Sequence, residues 1–306
     1  MRRFILIGPS TFGERDRSPL DRIAAAGFGI IENPFKRRLT RPELVELLKP
    51  NVVGLVAGLE PLDADVLRRS RLKVVSRVGS GMANVDMDAA RELGISVHST
   101  PSGPTEAVAE LTVGALLALM RMVPEMDAEL HAGRWAKRIG IQLEGKTVAI
   151  VGYGRIGKRV SELLEPFRVR ILVVDPVAPV ELNAACERKT LDEALQLADV
   201  ITLHCSGEQL LLGEPQLARM RRGAILLNAA RGGLVDEAAL ARALQEGRLG
   251  GAWLDAFENE PYAGPLTACR NAVLTPHVGS YTEECRLQME TEAVQNLLRG
   301  LAEARR

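Results

Sequence analysis

Short runs of apolar and β-branched residues recur along the first hundred residues and are separated by segments with helical spacing. The runs are FILIG, GIIEN, VVGLVAG, LKVVSRVG and ISVHS. Segments such as RPELVELLKP and DADVLRRS lie between them, with apolar residues at helical intervals. Strands that alternate with helices predict βαβ units and a parallel sheet covered on both faces.

The alternation starts again after a long helical stretch, which we predict from about Thr105 to His131. The later runs are KTVAIVG, RILVVD, VITLHC, AILLNAA, LGGAWLD and AVLTPH, followed by the amphipathic stretch TEECRLQMETEAVQNLLRGLAEA. Two complete sets of strands predict two sheets, because one sheet that held them all would be unusually wide. A single large doubly wound sheet is the alternative.

The changes of pattern fall near Pro101 and Pro276, and we place the domain crossings there. The predicted fold class is α/β, with two doubly wound parallel-sheet domains. An outer domain comprises residues 1–99 plus 281–306, and a second domain of residues 100–280 is inserted into it. Two crossings between domains suit a cleft that opens and closes.

Composition and charge narrow the class of protein. The chain has 306 residues, with 39 Lys plus Arg and 39 Asp plus Glu, so nothing favours nucleic acid or an acidic membrane surface as a partner. The four cysteines show neither C-x-x-C nor zinc-ligand spacing, which predicts free thiols in a reducing compartment and no metal site. The apolar run in MRRFILIGP is too short for a signal peptide, and LTVGALLALM is about half a membrane span. We therefore expect a soluble, cytoplasmic protein.

The segment IVGYGRIGKRV carries three glycines at G-x-G-x-x-G spacing between a predicted strand and a predicted helix. In that context the pattern indicates a dinucleotide-binding turn. Gly152 permits the tight turn, Gly154 lets a pyrophosphate approach the backbone, and Gly157 lets the helix pack closely on the strand. A glycine turn in some other α/β protein is the alternative.

Asp175 ends the next predicted strand, 18 positions beyond Gly157. A carboxylate there can accept hydrogen bonds from both ribose hydroxyls and would repel a 2′-phosphate. No arginine follows in DPVAPVE. The sequence therefore predicts NAD rather than NADP.

In open α/β sheets the chemistry lies at the carboxyl ends of the strands. In the second half these ends carry His204, Ala229, Ala230, Arg231, Asp255 and His277. His277 is the best candidate proton carrier, because Glu258 or Glu260 of DAFENEP could serve as a carboxylate that stabilises its imidazolium form. Arg231 presents a planar fork suited to a substrate carboxylate. Together these residues predict the reduction of a 2-keto acid.

These segments resemble the D-isomer-specific 2-hydroxyacid dehydrogenases, and within them the phosphoglycerate dehydrogenase branch. The resemblance covers nearly the whole chain and rests on LKVVSRVGSGMANVDMDAARELGISVHSTPSGPTEAVAE, VAIVGYGRIGKRV, LLNAARGGLVDEAALARAL, LDAFENEP and TPHVGSYTEE. It implies a Rossmann NAD domain inserted in a flavodoxin-like substrate domain. Because the chain ends with its amphipathic helix, we expect a short form without a C-terminal regulatory domain.

The resemblance also implies roles for individual residues. Arg231, Glu260 and His277 would be catalytic, with Glu260 favoured over Glu258 because it directly precedes the proline. His277 would donate the proton, Glu260 would orient it, and Arg231 would hold the substrate together with Gly79, Ser80 and Gly81. The residues expected to contact NAD are Ser80, Gly152, Gly154, Arg155, Ile156, Gly157, Asp175, Cys205, Ala229, Ala230, Asp255 and Gly279. The implied protein is a homodimer that interconverts a 2-keto acid and a D-2-hydroxy acid.

Two loops depart from the family's pattern. The phosphoglycerate branch usually has an arginine in the loop that here reads VAGLEPLD, which weakens the case for a phosphorylated substrate. The loop HCSGEQLLLGEP lacks the usual proline, so Cys205 is assigned by position only. An NAD-sensing, corepressor-like binding protein on the same fold is the main alternative function. A different NAD enzyme, such as an oxidising hydrolase, is a further one.

Overall fold

The computed structural model describes residues 2–82, 84–177, 182, 186–207 and 209–304. The chain divides into two compact units, which we call unit 1 (1–104 with 280–306) and unit 2 (105–279). Each unit has its own sheet, one of five strands and one of seven, and the strands pair in parallel. The predicted α/β class is confirmed, and the single wide sheet is wrong.

Unit 1 is built on a sheet with the order β2-β1-β3-β4-β5. Its strands are β1 (Phe4–Ile7), β2 (Gly29–Glu32), β3 (Val52–Ala57), β4 (Val74–Arg77) and β5 (Ser96–His98). The helices between them are α1 (Ser18–Ala25), α2 (Arg41–Leu47), α3 (Ala64–Arg69) and α4 (Met87–Glu92). This order is the flavodoxin-like one, with its reversal between the first and third strands.

The chain then forms two helices, α5 (Pro104–Met120) and α6 (Val123–His131), where we predicted one long stretch. Met122, between them, has a left-handed φ of 53°, and the two helices meet at a bend of 65°. The apolar run LTVGALLALM lies within α5, where Thr112, Ala115, Leu116 and Met120 are buried. Pro124, in the first turn of α6, is the signal of the break that the sequence carried. In the part of the chain that is described, no single helix is long and apolar enough to span a membrane, and only this bent pair taken together reaches that length and composition.

Unit 2 has the sheet order β12-β11-β10-β9-β6-β7-β8. Its strands are β6 (Thr147–Val151), β7 (Arg170–Val174), β8 (Cys186–Arg188), β9 (Val200–Leu203), β10 (Ile225–Asn228), β11 (Gly251–Leu254) and β12 (Ala272–Leu274). The connecting helices include α7 (Arg155–Leu164), α8 (Leu191–Leu197), α9 (Glu214–Arg219) and α10 (Glu237–Gln245). Counted within the unit, the strands follow the Rossmann order 3-2-1-4-5-6 with one strand added at the edge.

The last helix, α11 (Glu283–Glu303), belongs to unit 1 and packs against β3, β4 and β5. Leu297 is fully buried there, and a Cβ on Gly54 of β3 would come within 3.1 Å of its side chain. The amphipathic pattern of this segment therefore matches its place, with the apolar face on the sheet.

Candidate active site

The glycine turn lies at the point where the strand order of unit 2 reverses, between β6 and β9. Gly152 directly follows β6 and has φ 91°, a conformation that favours glycine. A Cβ at this position would lie 2.4 Å from the backbone nitrogen of Cys205, which follows β9. The absent side chain thus lets the two loops meet at the crevice where open α/β sheets bind ligands.

The other two glycines of the turn differ in the space around them. Gly154 is the N-cap of α7, and nothing lies within 4 Å of the place where its Cβ would be. Gly157 is buried, and a Cβ there would lie 2.1 Å from the carbonyl oxygen of Gly152. Arg155 and Ile156 form the first turn of α7, whose unpaired N–H groups create a favourable place for a phosphate.

Asp175 directly follows β7 and supports the glycine turn. Its Oδ2 accepts the Tyr153 N–H at 2.6 Å, and its Oδ1 accepts the Val177 N–H at 2.8 Å. Each carboxylate oxygen has two lone pairs, so both can still accept from a ribose hydroxyl. The sequence predicted that Asp175 accepts hydrogen bonds from the ribose, but it did not predict that Asp175 holds the backbone of the glycine turn.

His277 and Glu260 form a close pair on neighbouring loops of unit 2. The Nδ1 of His277 lies 2.9 Å and 3.0 Å from the two carboxylate oxygens of Glu260. Both side chains are partly exposed, at 49% and 37%. The Phe257 N–H also donates to Glu260 Oε1 at 3.1 Å, which fixes the carboxylate against its own turn. This geometry leaves Nε2 as the ring atom that can exchange a proton with a ligand.

Asp255 is buried after β11 and organises the loop that carries His277. Its Oδ1 accepts the Thr275 hydroxyl at 2.6 Å and the Val278 N–H at 2.9 Å, and its Oδ2 accepts the Gly279 N–H at 2.7 Å. His277 has a left-handed φ of 54°, which is unfavourable for a residue with a side chain. The bonds to Asp255 hold the backbone that follows His277 and the side chain of Thr275 that precedes it.

Arg231 follows β10 in a turn braced by the buried side chain of Asn228. The Asn228 amide accepts the Ala230 N–H at 3.0 Å and donates to the Arg231 carbonyl oxygen at 2.8 Å. Arg231 Nη1 donates to the Ala230 carbonyl oxygen at 2.7 Å, and its side chain is half-buried. Ala229, beside them, is half-buried as well.

The three remaining candidates, Gly79, Ser80 and Gly81, follow β4 and belong to unit 1. Gly79 has φ 123°, and its N–H donates to the Thr100 hydroxyl at 2.7 Å. This N–H is therefore already engaged, which leaves those of Ser80 and Gly81 as the better donors to a ligand. Ser80 is exposed.

His204 and Cys205 follow β9 and are shaped by burial. Burial lowers the pKa of His204 to about 3, so its ring is neutral at physiological pH. Its Nε2 lies 2.8 Å from the Thr202 hydroxyl, which marks it as a structural histidine. Burial, followed by the charge of Asp175, raises the pKa of the Cys205 thiol. Across the described residues, no group of three or more His, Cys, Asp or Glu side chains could hold a metal ion.

Sequence reasoning missed the residues that hold these groups in place: Asn228, Thr275 and Thr100. Asn228 is the last residue of β10, and Thr275 and Thr100 follow β12 and β5 by one and two residues. The family motifs gave none of these small polar side chains a separate signal. Their hydrogen bonds depend on which loops the sheet order brings together.

The seven-stranded sheet of unit 2 and the glycine turn at its carboxyl edge define the class of proteins with a Rossmann-type nucleotide-binding domain. The sequence comparisons specify the family. The sequence model of the D-isomer specific 2-hydroxyacid dehydrogenase, NAD binding domain, matches residues 113–279. The chain belongs to this family.

Its relatives include enzymes with different substrates in their names. The D-3-phosphoglycerate dehydrogenase of Methanocaldococcus jannaschii is 39% identical over 275 residues, which are 86% of this chain and 52% of that protein. The glyoxylate reductase of Aeropyrum pernix is 38% identical over 254 residues, 78% of this chain and 76% of that protein. The crystal structure of the TT0316 protein from Thermus thermophilus matches with a TM-score of 0.90 and 38% identity, over 99% of this chain and 97% of that one. The chain spans about half the length of the phosphoglycerate dehydrogenases that it matches.

Proposed function

We propose that the protein is an NAD-dependent oxidoreductase that interconverts a 2-keto acid and a D-2-hydroxy acid. The observation that carries this proposal is the pair His277–Glu260, at 2.9 Å and 3.0 Å, on loops at the same sheet edge as the glycine turn. A corepressor-like binding protein would need the glycine turn but has no use for a proton carrier backed by a carboxylate.

In this proposal each side chain of the pair has one task. Bound NADH would supply the hydride to C2 of the keto acid. His277 donates a proton from Nε2 to the developing alkoxide oxygen, and in the reverse direction it accepts that proton. Glu260 holds Nδ1 and stabilises the charged imidazolium form. Arg231 binds the substrate carboxylate. In unit 1, the N–H groups of Ser80 and Gly81 are the proposed donors to the substrate.

The residues of unit 2 fit an NAD molecule. The open space at Gly154 and the first turn of α7 suit the pyrophosphate, and the free lone pairs of Asp175 suit the ribose hydroxyls. The same carboxylate would repel the 2′-phosphate of NADP, so we propose NAD as the cofactor. The other residues proposed to contact NAD are Ser80, Cys205, Ala229, Ala230, Asp255 and Gly279.

The proposed substrate is a small 2-keto acid without a phosphate. Ala57 at the end of β3, and Gly58 and Leu59 after it, offer no cation. Glu60 follows them, is buried, and has a carboxyl pKa raised by that burial. A loop with this composition does not favour a substrate that carries a phosphate in addition to its carboxylate. The two alternatives, a phosphorylated and an unphosphorylated substrate, correspond to the relatives named phosphoglycerate dehydrogenase and glyoxylate reductase.

The test is the oxidation of NADH and of NADPH with a panel of 2-keto acids, including glyoxylate, hydroxypyruvate, pyruvate and 3-phosphohydroxypyruvate. We expect turnover with at least one small, unphosphorylated acid and a clear preference for NADH. Tight NADH binding without turnover of any acid would instead favour the corepressor-like function, and peptide binding in the presence of NADH would then be measured. Turnover confined to the phosphorylated acid would overturn the substrate assignment alone.

We also propose that the protein is a homodimer. Large apolar side chains are exposed along α6 and the segment after it: Val123, Leu130, Trp135, Ile139 and Ile141. Trp135 is 80% exposed and Ile139 is 97% exposed. A concentration of this kind on one segment is typical of an interface between copies of a chain.

A further inference from the structure

Glu237 lies behind the turn that carries Glu260, and none of the roles above uses it. It is the first residue of α10, but the cap of that helix is Asp236, whose Oδ1 accepts the Ala239 N–H at 2.9 Å. The Glu237 side chain reaches the loop after β11 instead, where its Oε1 accepts the Glu258 N–H at 2.8 Å. A half-buried carboxyl group thus holds a backbone amide two residues before Glu260.

Gly232 brings the same part of the chain against the same peptide group. A Cβ on Gly232 would lie 1.8 Å from the carbonyl carbon of Phe257 and 2.1 Å from the nitrogen of Glu258. The backbone next to Arg231 therefore touches the peptide whose N–H Glu237 accepts. The segment from Arg231 to Glu237 contacts the Glu260 turn at both of its ends.

The charges around Glu237 also couple it to the Glu260–His277 pair. Burial raises the pKa of the Glu237 carboxyl, the Glu258 N–H lowers it, and the carboxylates of Glu258 and Glu260 raise it further. A hydrogen bond with the Tyr262 hydroxyl lowers the pKa of the Glu237 carboxyl. Interactions between charges are mutual, so a charge on Glu237 also acts on Glu260, whose carboxylate contacts Nδ1 of His277.

The other ionisable groups on and near α10 have partners outside the Glu260 turn or are exposed. Arg242 of α10 pairs with Glu214 of α9 at 2.9 Å. Cys269, next to the loop after β11, acts on Tyr262 rather than on Glu237. Glu246 is exposed and caps the far end of α10. Glu237 is the carboxylate of this helix that reaches the Glu260 turn.

We propose that Glu237 is a positioning residue for the Glu260–His277 pair, which fixes the Glu260 turn through the Glu258 amide and places a second negative charge behind it. The inference rests on the proposed function, in which His277 is the proton donor. It adds a residue that touches neither substrate nor cofactor but holds the turn from which Glu260 reaches His277.

Two substitutions separate the positioning effect from the charge effect. Glu237→Gln keeps an oxygen that can accept the Glu258 N–H and removes the charge, whereas Glu237→Ala removes both. Loss of a negative charge disfavours imidazolium, so in Glu237→Gln the titration midpoint of the His277 ring should fall by on the order of half a pH unit. Glu237→Ala should in addition raise KM for the keto acid and lower kcat at every pH, because the turns of Arg231 and Glu260 lose their shared contact.

The first readout is independent of turnover. The chain has four histidines, so the ring signals can be followed by NMR against pH in the cofactor-free protein, with His277→Gln identifying one of them. His204, with its pKa of about 3, should stay neutral throughout and serve as an internal reference. The second readout is the pH–rate profile for keto-acid reduction, whose alkaline limb should move with the His277 midpoint. Glu246→Gln is the matched control on the same helix and should leave both unchanged.

The possible outcomes separate the two proposals. A His277 midpoint in Glu237→Gln equal to that of the wild type, or a shift no larger than that of Glu246→Gln, would overturn the role of Glu237. If the wild type reduces no keto acid, the proposed function fails, yet the NMR titration still decides whether Glu237 acts on His277. Should Glu237→Gln not fold, Glu237→Asp keeps the charge on a shorter side chain, and it should raise KM with the midpoint unmoved. An unchanged KM there would contradict the positioning role.

Discussion

At the scale of single residues, the ring of His277 carries the reaction we propose. Glu260 occupies Nδ1, which leaves Nε2 as the atom that would transfer a proton. In His277→Ala we expect kcat to fall by roughly a hundred- to ten-thousand-fold, the usual contribution of a general acid. NADH affinity, measured by fluorescence titration, should stay close to that of the wild type. A loss of turnover below tenfold at every pH would show that another group donates the proton.

The partner of His277 can be tested by removing one charge. In Glu260→Gln the amide no longer favours imidazolium, so the ring loses its proton at a lower pH. Keto-acid reduction needs the protonated ring. The alkaline limb of its pH–rate profile should therefore move to lower pH, while activity in acid is better preserved.

The matched control for this substitution is Glu258→Gln. Glu258 is an exposed carboxylate on the same turn, and water screens its charge. We expect its pH–rate profile to stay close to that of the wild type. If Glu258→Gln moved the alkaline limb of the pH–rate profile and Glu260→Gln did not, Glu258 rather than Glu260 would be the partner of His277.

At the scale of elements, the turn after β6 depends on a side chain from the end of β7. Asp175 accepts the Tyr153 N–H and would also bind the cofactor ribose. The wild type should prefer NADH to NADPH by at least about tenfold, because hydrogen bonds to a charged group contribute about 1.5–3 kcal/mol. In Asp175→Asn this preference should shrink, mainly through weaker NADH binding.

The ratio of the NADH and NADPH dissociation constants separates the two roles of Asp175, which are support of the glycine turn and binding of the ribose. Damage to the glycine turn would weaken NADH and NADPH alike, whereas loss of the charge changes their ratio. Dissociation constants for both cofactors, measured for both proteins, give this comparison. A wild type that uses NADPH as efficiently as NADH would contradict the assignment of Asp175 to the ribose.

The loop after β12 is a second element held by one carboxylate. In Asp255→Asn an NH₂ group replaces one oxygen and can no longer accept a backbone N–H. Leaving a buried donor unpaired costs about 1–3 kcal/mol. We expect a lower Tm, by roughly 2–4 °C for each kcal/mol, and a lower kcat, because the backbone around His277 is released.

Asp236→Asn is the matched control for Asp255→Asn. Asp236 caps α10, and asparagine is an equally good cap. Its Tm and kcat should therefore stay near those of the wild type. A kcat unchanged in Asp255→Asn would show that the loop keeps His277 in place without this carboxylate.

The elements themselves were largely predictable, and the exceptions have physical reasons. Buried parallel strands read as apolar runs, so each of the runs that we identified forms a strand. The edge strand β8 was missed because Cys186–Arg188 has polar residues and pairs with one neighbour only. The break before α6 was missed because the apolar pattern continues through Met122, although Pro124 in the first turn of α6 is a signal of a helix start.

The candidate site was predictable at the level of strand ends but not of hydrogen bonds. Periodicity and motifs put Asp175 and Asp255 after strands, since that follows from where each apolar run stops. They could not show that Asp255 accepts three bonds from residues 275–279, or that Thr100 occupies the Gly79 N–H. Those contacts join loops that are distant in sequence, and the sheet order decides which loops meet.

At the scale of the whole molecule, the exposed apolar side chains of unit 2 predict how copies of the chain associate. Leu130, Trp135, Ile139 and Ile141 belong to one stretch of the chain and would remain in contact with water in a monomer. Burying them against a second copy is favourable by roughly 25 cal/mol for each Å² of apolar surface. A charge placed among them would have to be buried without a partner, which is costly.

We therefore expect the wild type to sediment as a dimer and Ile139→Asp to shift it towards the monomer at micromolar concentration. Analytical ultracentrifugation over a range of concentrations measures this equilibrium. Leu210→Asp is the matched control, because Leu210 is also a large exposed apolar residue, at 60%, but lies in a different loop of unit 2. It should leave the dimer intact. If Ile139→Asp stays dimeric, or if both variants dissociate equally, the segment after α6 is not the interface and its exposed side chains need another explanation.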